Sequence, residues 1–126
     1  MKEAEKLTEE QLDEIAERFD SKEVCDETCM KVFIRNRWAL HKTIEWAKRE
    51  ELFMKRAAFV IMAGLARENR DLKSGIFEVF LPVLAKAREE DRRPEIQEAV
   101  SMAPEAIRER NEKLRRAVSR IEERKG

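Results

Sequence analysis

The sequence predicts an all-α fold of stacked antiparallel helical hairpins, with about six to seven helices arranged as a HEAT-like α-α superhelix. Three observations predict it. The chain has only 3 Gly and 3 Pro in 126 residues, which starves turns and strands. Most of its polar positions are filled by the helix formers Glu, Lys and Arg. Its apolar residues recur every three or four positions, the spacing of one helix face. At this length a single domain, residues 1–126, suffices and can bury a modest core.

The first helix opens at Thr8, where Thr8 and Gln11 have the form of a capping box that satisfies free backbone N–H groups. Leu12, Ile15, Ala16 and Phe19 make its stripe, and it ends near Asp20. Asp20 or Ser21 caps a second helix, about Lys22 to Ile34, with Val24, Cys25, Cys29, Val32 and Phe33 mostly on one side. Arg35, Asn36 and Arg37 form a short break. A third helix follows through Trp38, Ala39, Ile44, Trp46 and Ala47 and stops at the charged run from Lys48 to Glu51.

The fourth helix is the most apolar, uncharged from Ala57 through Ala66, and a helix apolar on nearly every side must be enclosed by others. It belongs at the centre of the fold. A fifth uses Ile76, Phe77, Val79, Phe80, Leu81, Val83 and Leu84. Pro82 lies inside this pattern and is expected to kink or divide it. The run from Arg88 to Arg93 reads as a loop, and Pro94 suits the first turn of a sixth helix carrying Ile96, Ala99, Val100 and Met102. Pro104 interrupts that helix or starts another. The tail from Ile107 through Leu114, Val118 and Ile121 is amphipathic and frays at Lys125 and Gly126.

Lys+Arg and Asp+Glu balance at 27 each, so the molecule as a whole has no net pull on a polyanion. Along the chain the charges are segregated. Residues 1–30 hold four basic and eleven acidic side chains, whereas residues 31–70 hold ten basic and four acidic. That pattern predicts two faces of opposite sign, with Arg35, Arg37, Lys42, Lys48 and Arg49 as the densest basic group. Ion-paired, solvated helices account for the total but not for the segregation.

Cys25 and Cys29 stand one helical turn apart, too far to bridge in a regular helix, and read as buried thiols. Together with His41 they fall short of a metal pattern, so no metal is expected. No apolar run approaches the ~20 residues that cross a bilayer, and MKEAEKLTEE lacks the apolar segment of a secretion signal. A cytoplasmic protein that does not meet the membrane is expected.

Three stretches, in order, resemble the DNA alkylation repair (AlkD-like) family. SKEVCDETCMKVF at 21–33 is similar to its Trp-Asp-x-x-Asp segment. EWAKREELFMKRAAFVIMAGLA at 45–66 is similar to its W-A-x-S-x-N-x-W-x-R-R-A-A helix. EIQEAVSMAPEAIRERNEKLRRAV at 95–118 is similar to its V-Q-K-A-I-G-W-x-L-R-E-x-x-x-x-N helix, with Asn111 in phase. The resemblance covers about residues 21–118 and implies helical repeats whose basic concave surface holds duplex DNA. It also implies cleavage of the N-glycosidic bond of N3- or N7-alkylated purines without metal or cofactor.

Position by position, the resemblance puts the catalytic carboxylate at Asp26 and the phosphate-binding arginine at Arg56, with Lys55 beside it. Arg35, Arg37 and Lys42 extend the DNA footprint. The family's two tryptophans fall on Lys22 and Met102, and the Leu and Arg that follow the second fall on Pro104 and Glu105. Two functional readings stand: a divergent DNA-binding member with glycosylase activity, and a non-catalytic helical scaffold for a protein partner. The tail helix over 105–124 is a candidate homodimer contact if its apolar stripe is uncovered. Otherwise it closes its own core.

Overall fold

The computed structural model describes residues 3–123, so the fraying expected at Lys125 and Gly126 lies outside the described residues. The described residues contain eight α-helices, one 3-10 turn and no strand. The helices are α1 (Glu3–Lys6), α2 (Glu9–Glu17), α3 (Lys22–Lys31), α4 (Ala39–Trp46), α5 (Leu52–Glu68), α6 (Ser74–Glu90), α7 (Pro94–Arg108) and α8 (Glu112–Glu123), with the 3-10 turn at Phe33–Arg35.

Local signals set the boundaries. Gln11 N donates to Thr8 Oγ1 at 3.1 Å and Thr8 N to Gln11 Oε1 at 2.9 Å, which closes the capping box on α2. Ser21, rather than Asp20, caps α3 by accepting from Val24 N. In the break after α3, Asn36 is buried. Its amide donates to the Ala4 and Leu7 carbonyls, and its Oδ1 accepts from Trp38 N, so α1 is tied to the start of α4.

Helices α3, α5 and α7 lie side by side with α5 in the middle, and α5 packs most extensively on α7. Helix α4 covers α5, α6 packs on α7, and α8 packs on both α6 and α7. This all-helical stack is consistent with HEAT-like hairpins. Every residue from Ala57 to Ala66 is buried, which confirms α5 as the central helix. Ala57 and Ala58 of α5 and Ala99, Ala103 and Ala106 of α7 are all buried. At Gly64 a Cβ would lie 2.8 Å from Met30 Sδ and 2.9 Å from Ile34 Cγ2, so the absence of a side chain lets α3 approach α5.

The structure corrects four expectations. Helix α6 is not divided at Pro82, and α7 is one element through Pro104. A proline inside a helix costs about 3 kcal/mol. Buried residues on both sides offset it: Phe77, Phe80, Leu84 and Ala87 around the first, Val100, Ala103, Ala106 and Ile107 around the second. A fully buried side chain the size of Phe returns about 1.5–3 kcal/mol. The loop expected over Arg88–Arg93 shrinks to 91–93. The tail helix begins only at Glu112, where Asn111 Oδ1 accepts from Leu114 N. Its Leu114, Ala117 and Val118 are buried within the chain, so the stripe read as a dimer contact closes the protein's own core.

Arg110, in the turn between α7 and α8, fastens this end of the stack. Its guanidinium donates to the Ala66, Asn69 and Leu72 carbonyls at 2.8–2.9 Å and lies 4.3 Å from the centroid of the Phe77 ring. The C-terminal carbonyls of α5 thereby gain donors and a positive charge.

Candidate functional site

The site predicted from the sequence is built by α3, α5 and α7. Ser21 caps α3, which sets Lys22 at its first turn and Asp26 one turn later. Cys25 and Cys29 face the core and donate to the Phe53 and Ala57 carbonyls of α5. Asp26, next to Cys25 in sequence, is turned by the helical step toward Arg56 of α5. Burial first, and then the Cys25 thiol, push the Cys29 thiol well above its ordinary range, so it is no nucleophile at neutral pH.

Arg56 and Asp26 form a bidentate pair. Arg56 Nε donates to Asp26 Oδ1 at 2.9 Å and Nη2 to Oδ2 at 2.7 Å. On the other side of the guanidinium, Nη1 donates to Glu98 Oε1 at 2.8 Å and to the Glu95 carbonyl at 2.7 Å, both on α7. Lys22 Nζ reaches the same Glu98 oxygen at 3.1 Å. The hydrogen bonds to Asp26 hold Arg56 further on the charged side, against burial, and Glu98 adds to this. Arg56 and then Lys22 hold the Glu98 carboxyl below its usual range. Two cations and two carboxylates thus interlock across three helices.

Within this cluster exposure is graded. The Arg56 side chain is 1% exposed, Asp26 31%, Lys22 45% and Glu98 46%. Asp26 therefore sits at the rim with its carboxylate plane fixed from beneath, while Arg56 is internal. The expectation that Arg56 presents a free guanidinium to phosphate does not fit these contacts: in this structure its nitrogens are all engaged, and it aligns Asp26. Glu98 is the residue that sequence reasoning missed. It stands one helical turn before Met102, one of the two substituted aromatic positions, and that i, i+4 spacing was the available signal. Met102 is half-buried against the core.

The remaining basic candidates scatter. Lys55 Nζ pairs with Asp91 at 2.9 Å, and Asp91 also takes a two-pronged contact from Arg93. The hydrogen bonds from Arg93 first, and then the one from Lys55, hold the Asp91 carboxyl far below its ordinary range. Lys42 is 2% exposed, and its ammonium meets Glu9 at 3.2 Å, Asp13 at 3.0 Å and Glu45 at 2.6 Å. It has no face for DNA, so its expected phosphate contact is corrected to an internal one. Glu9, His41 and Glu45 bring ligand atoms within 4.8 Å of one another, but that acidic charge already surrounds the Lys42 ammonium. Arg35 and Arg37 are exposed beyond the C-terminal end of α3, with Arg37 over the Trp38 ring. They lie away from Lys22, which opens the N-terminal end.

The segregated charges therefore meet one another instead of forming two faces. Acids of the first thirty residues (Glu9, Asp13, Asp26) neutralise cations of the next forty (Lys42, Arg56). No described helix is long and apolar enough to cross a membrane.

No curated protein and no solved structure matches the chain. A family model described as DNA alkylation repair enzyme does match, over residues 1–124. Because that match takes in nearly the whole chain, including all three helices that assemble Asp26, Arg56 and Glu98, the protein belongs to the DNA alkylation repair enzyme family.

Proposed function

We propose that the protein binds duplex DNA and turns the rim of α3, α5 and α7 toward an N3- or N7-alkylated purine nucleotide, with Asp26 as the group that faces its sugar. The observation that carries this reading is the Asp26–Arg56 pair, which assembles the family's carboxylate and arginine on neighbouring helices at 2.7–2.9 Å. An alkylated purine of this kind is a cation and leaves without an added proton. Breaking its N-glycosidic bond takes the bonding pair with the neutral base and leaves positive charge on the sugar, which a fixed carboxylate stabilises without having to reorient; water then bonds to the anomeric carbon and gives up a proton, completing the hydrolysis. Arg56 fixes the carboxylate. Lys22, where the family has an aromatic ring, puts an ammonium beside the same position and opposes the developing charge. Slow excision is the consequence.

A second reading, DNA binding or protein scaffolding without excision, draws on the exposed Lys22–Glu98 bridge and on Met102, which replace the aromatic flanks. One experiment separates the readings: base release from duplex DNA containing N7-methylguanine, by the native protein and by Asp26→Asn, with binding to the same duplex measured at low salt. The first reading expects release that falls about 100-fold or more in the variant. Equal release by both would remove Asp26 from the chemistry. Binding without release selects the binding-only protein, and no detectable binding selects the scaffold.

A further inference from the structure

The Glu98 carboxylate occupies an unusual position. Two cations from different helices, Arg56 of α5 and Lys22 of α3, converge on its Oε1 at 2.8 and 3.1 Å. Glu98 itself comes from a third helix, α7. The arrangement is an anion-binding fork, with a planar guanidinium on the inside and a flexible ammonium at the rim. That is a donor set suited to a phosphate oxygen. We propose that Glu98 is an internal substitute for a backbone phosphate of DNA, which on binding displaces it and is held between Lys22 Nζ and Arg56 Nη1. This rests on the duplex-binding reading above, in which Arg56 meets phosphate, and adds Glu98 as the residue that guards that contact and Lys22 as its second donor.

Three features support the exchange. The Lys22–Glu98 bridge is nearly half exposed on both sides, and exposed ion pairs hold weakly. Arg56 is 1% exposed, and of the two groups on its Nη1 one is the Glu95 carbonyl, fixed in the α7 backbone. Glu98 is therefore the partner that a rotamer change can withdraw. The resting cluster balances two cations with two carboxylates. Replacing Glu98 by phosphate keeps that balance at the fork, whereas leaving the fork empty would not.

The test is equilibrium binding of a short unmodified duplex over a salt series by the native protein, Glu98→Gln, Lys22→Gln, the double variant, and Glu23→Gln. The last removes the same charge next to Lys22 without touching the fork. Thermal melts verify folding of each. Glu98→Gln is expected to bind about tenfold tighter at low salt, because the phosphate no longer has to displace a carboxylate from the fork. Glu23→Gln is expected to change affinity less than about twofold, the range of a rim charge at long distance. Lys22→Gln in the Glu98→Gln background should abolish the gain.

Native binding with no greater gain in Glu98→Gln than in Glu23→Gln overturns this inference and leaves duplex binding standing, as does a gain that survives loss of Lys22. Titration of Glu98→Gln with inorganic phosphate, followed by amide shifts at residues 22 and 56, separates the sources. Shifts there without duplex binding by any variant overturn both the DNA phosphate and the duplex reading. No shifts and no duplex gain leave Glu98 a structural ion-pair partner.

Discussion

Two clusters in this protein bury a cation under a rim of carboxylates, and they are built to different rules. Around Arg56 the partners are few and geometric: a bidentate aspartate, one glutamate oxygen and a backbone carbonyl, with Lys22 closing the rim. Around Lys42 the partners are many and less directional: Glu9, Asp13 and Glu45 surround a point charge, and Asp13 also accepts from Trp46 Nε1. The first cluster is neutral, whereas the second sets one ammonium against three carboxylates. The acidic surplus around Lys42 repels a polyanion, whereas the balanced cluster around Arg56 adds no such surplus of its own. Burial of a positive side chain therefore says nothing by itself about phosphate. What decides is the charge that surrounds it and whether one of its partners can leave.

Stability measurements can break this contrast. The largest effect is expected for Arg56→Ala, about 3–5 kcal/mol by urea unfolding, because it empties a fully buried site, takes the donor from the Glu95 carbonyl and unties three helices. Lys42→Met keeps the stem packed and strands no backbone group, so a smaller loss of about 1–3 kcal/mol is expected. If Lys42→Met costs as much as Arg56→Ala, the distinction between geometric and diffuse pairing fails.

Asp91, held by Arg93 and Lys55, provides a third, pH-dependent comparison. Its ordinary value is 3.8 and folding lowers it, so its contribution is complete above that value and is lost as pH falls through the folded one. Unfolding midpoints of the native protein should drop steadily below about pH 4. Asp91→Asn should lower the neutral-pH midpoint and flatten that acid slope. The smallest effect is expected for Arg37→Gln, about a threefold loss of duplex affinity at low salt with unchanged stability, since this exposed residue supplies at most one backbone contact.

Local physics was readable in the chain. Thr8 and Gln11 state their own cap, and the uncharged run from Ala57 to Ala66 can only be an interior helix. The direct pairing of Asp26 with Arg56, thirty residues apart, is a property of the fold that neither helix shows alone, and it leaves Arg56 internal. What could not be read is the inward turn of Lys42, because its partners Asp13 and Glu9 lie on another helix and lysine alone favours the surface. The same holds for Arg56, whose burial depends on Glu98 and a carbonyl some forty residues away. Pro82 and Pro104 misled for a related reason: a proline rule weighs one lost hydrogen bond, whereas the apolar residues on either side decide whether the helix continues.

Arg110 has a consequence for how the protein opens. By donating to a carbonyl in the last turn of α5 and to two along the α5–α6 connection, and by resting on Phe77 of α6, it ties the end of α5, that connection, the start of α6 and the α7–α8 corner together, so they are expected to open as one cooperative unit. Amide hydrogens at the end of α5 and the start of α6 should exchange with deuterium together with those of the deep interior, although the connection itself lies at the surface. Arg110→Gln should uncouple them, giving a fast-exchanging corner on a frame that otherwise stays closed.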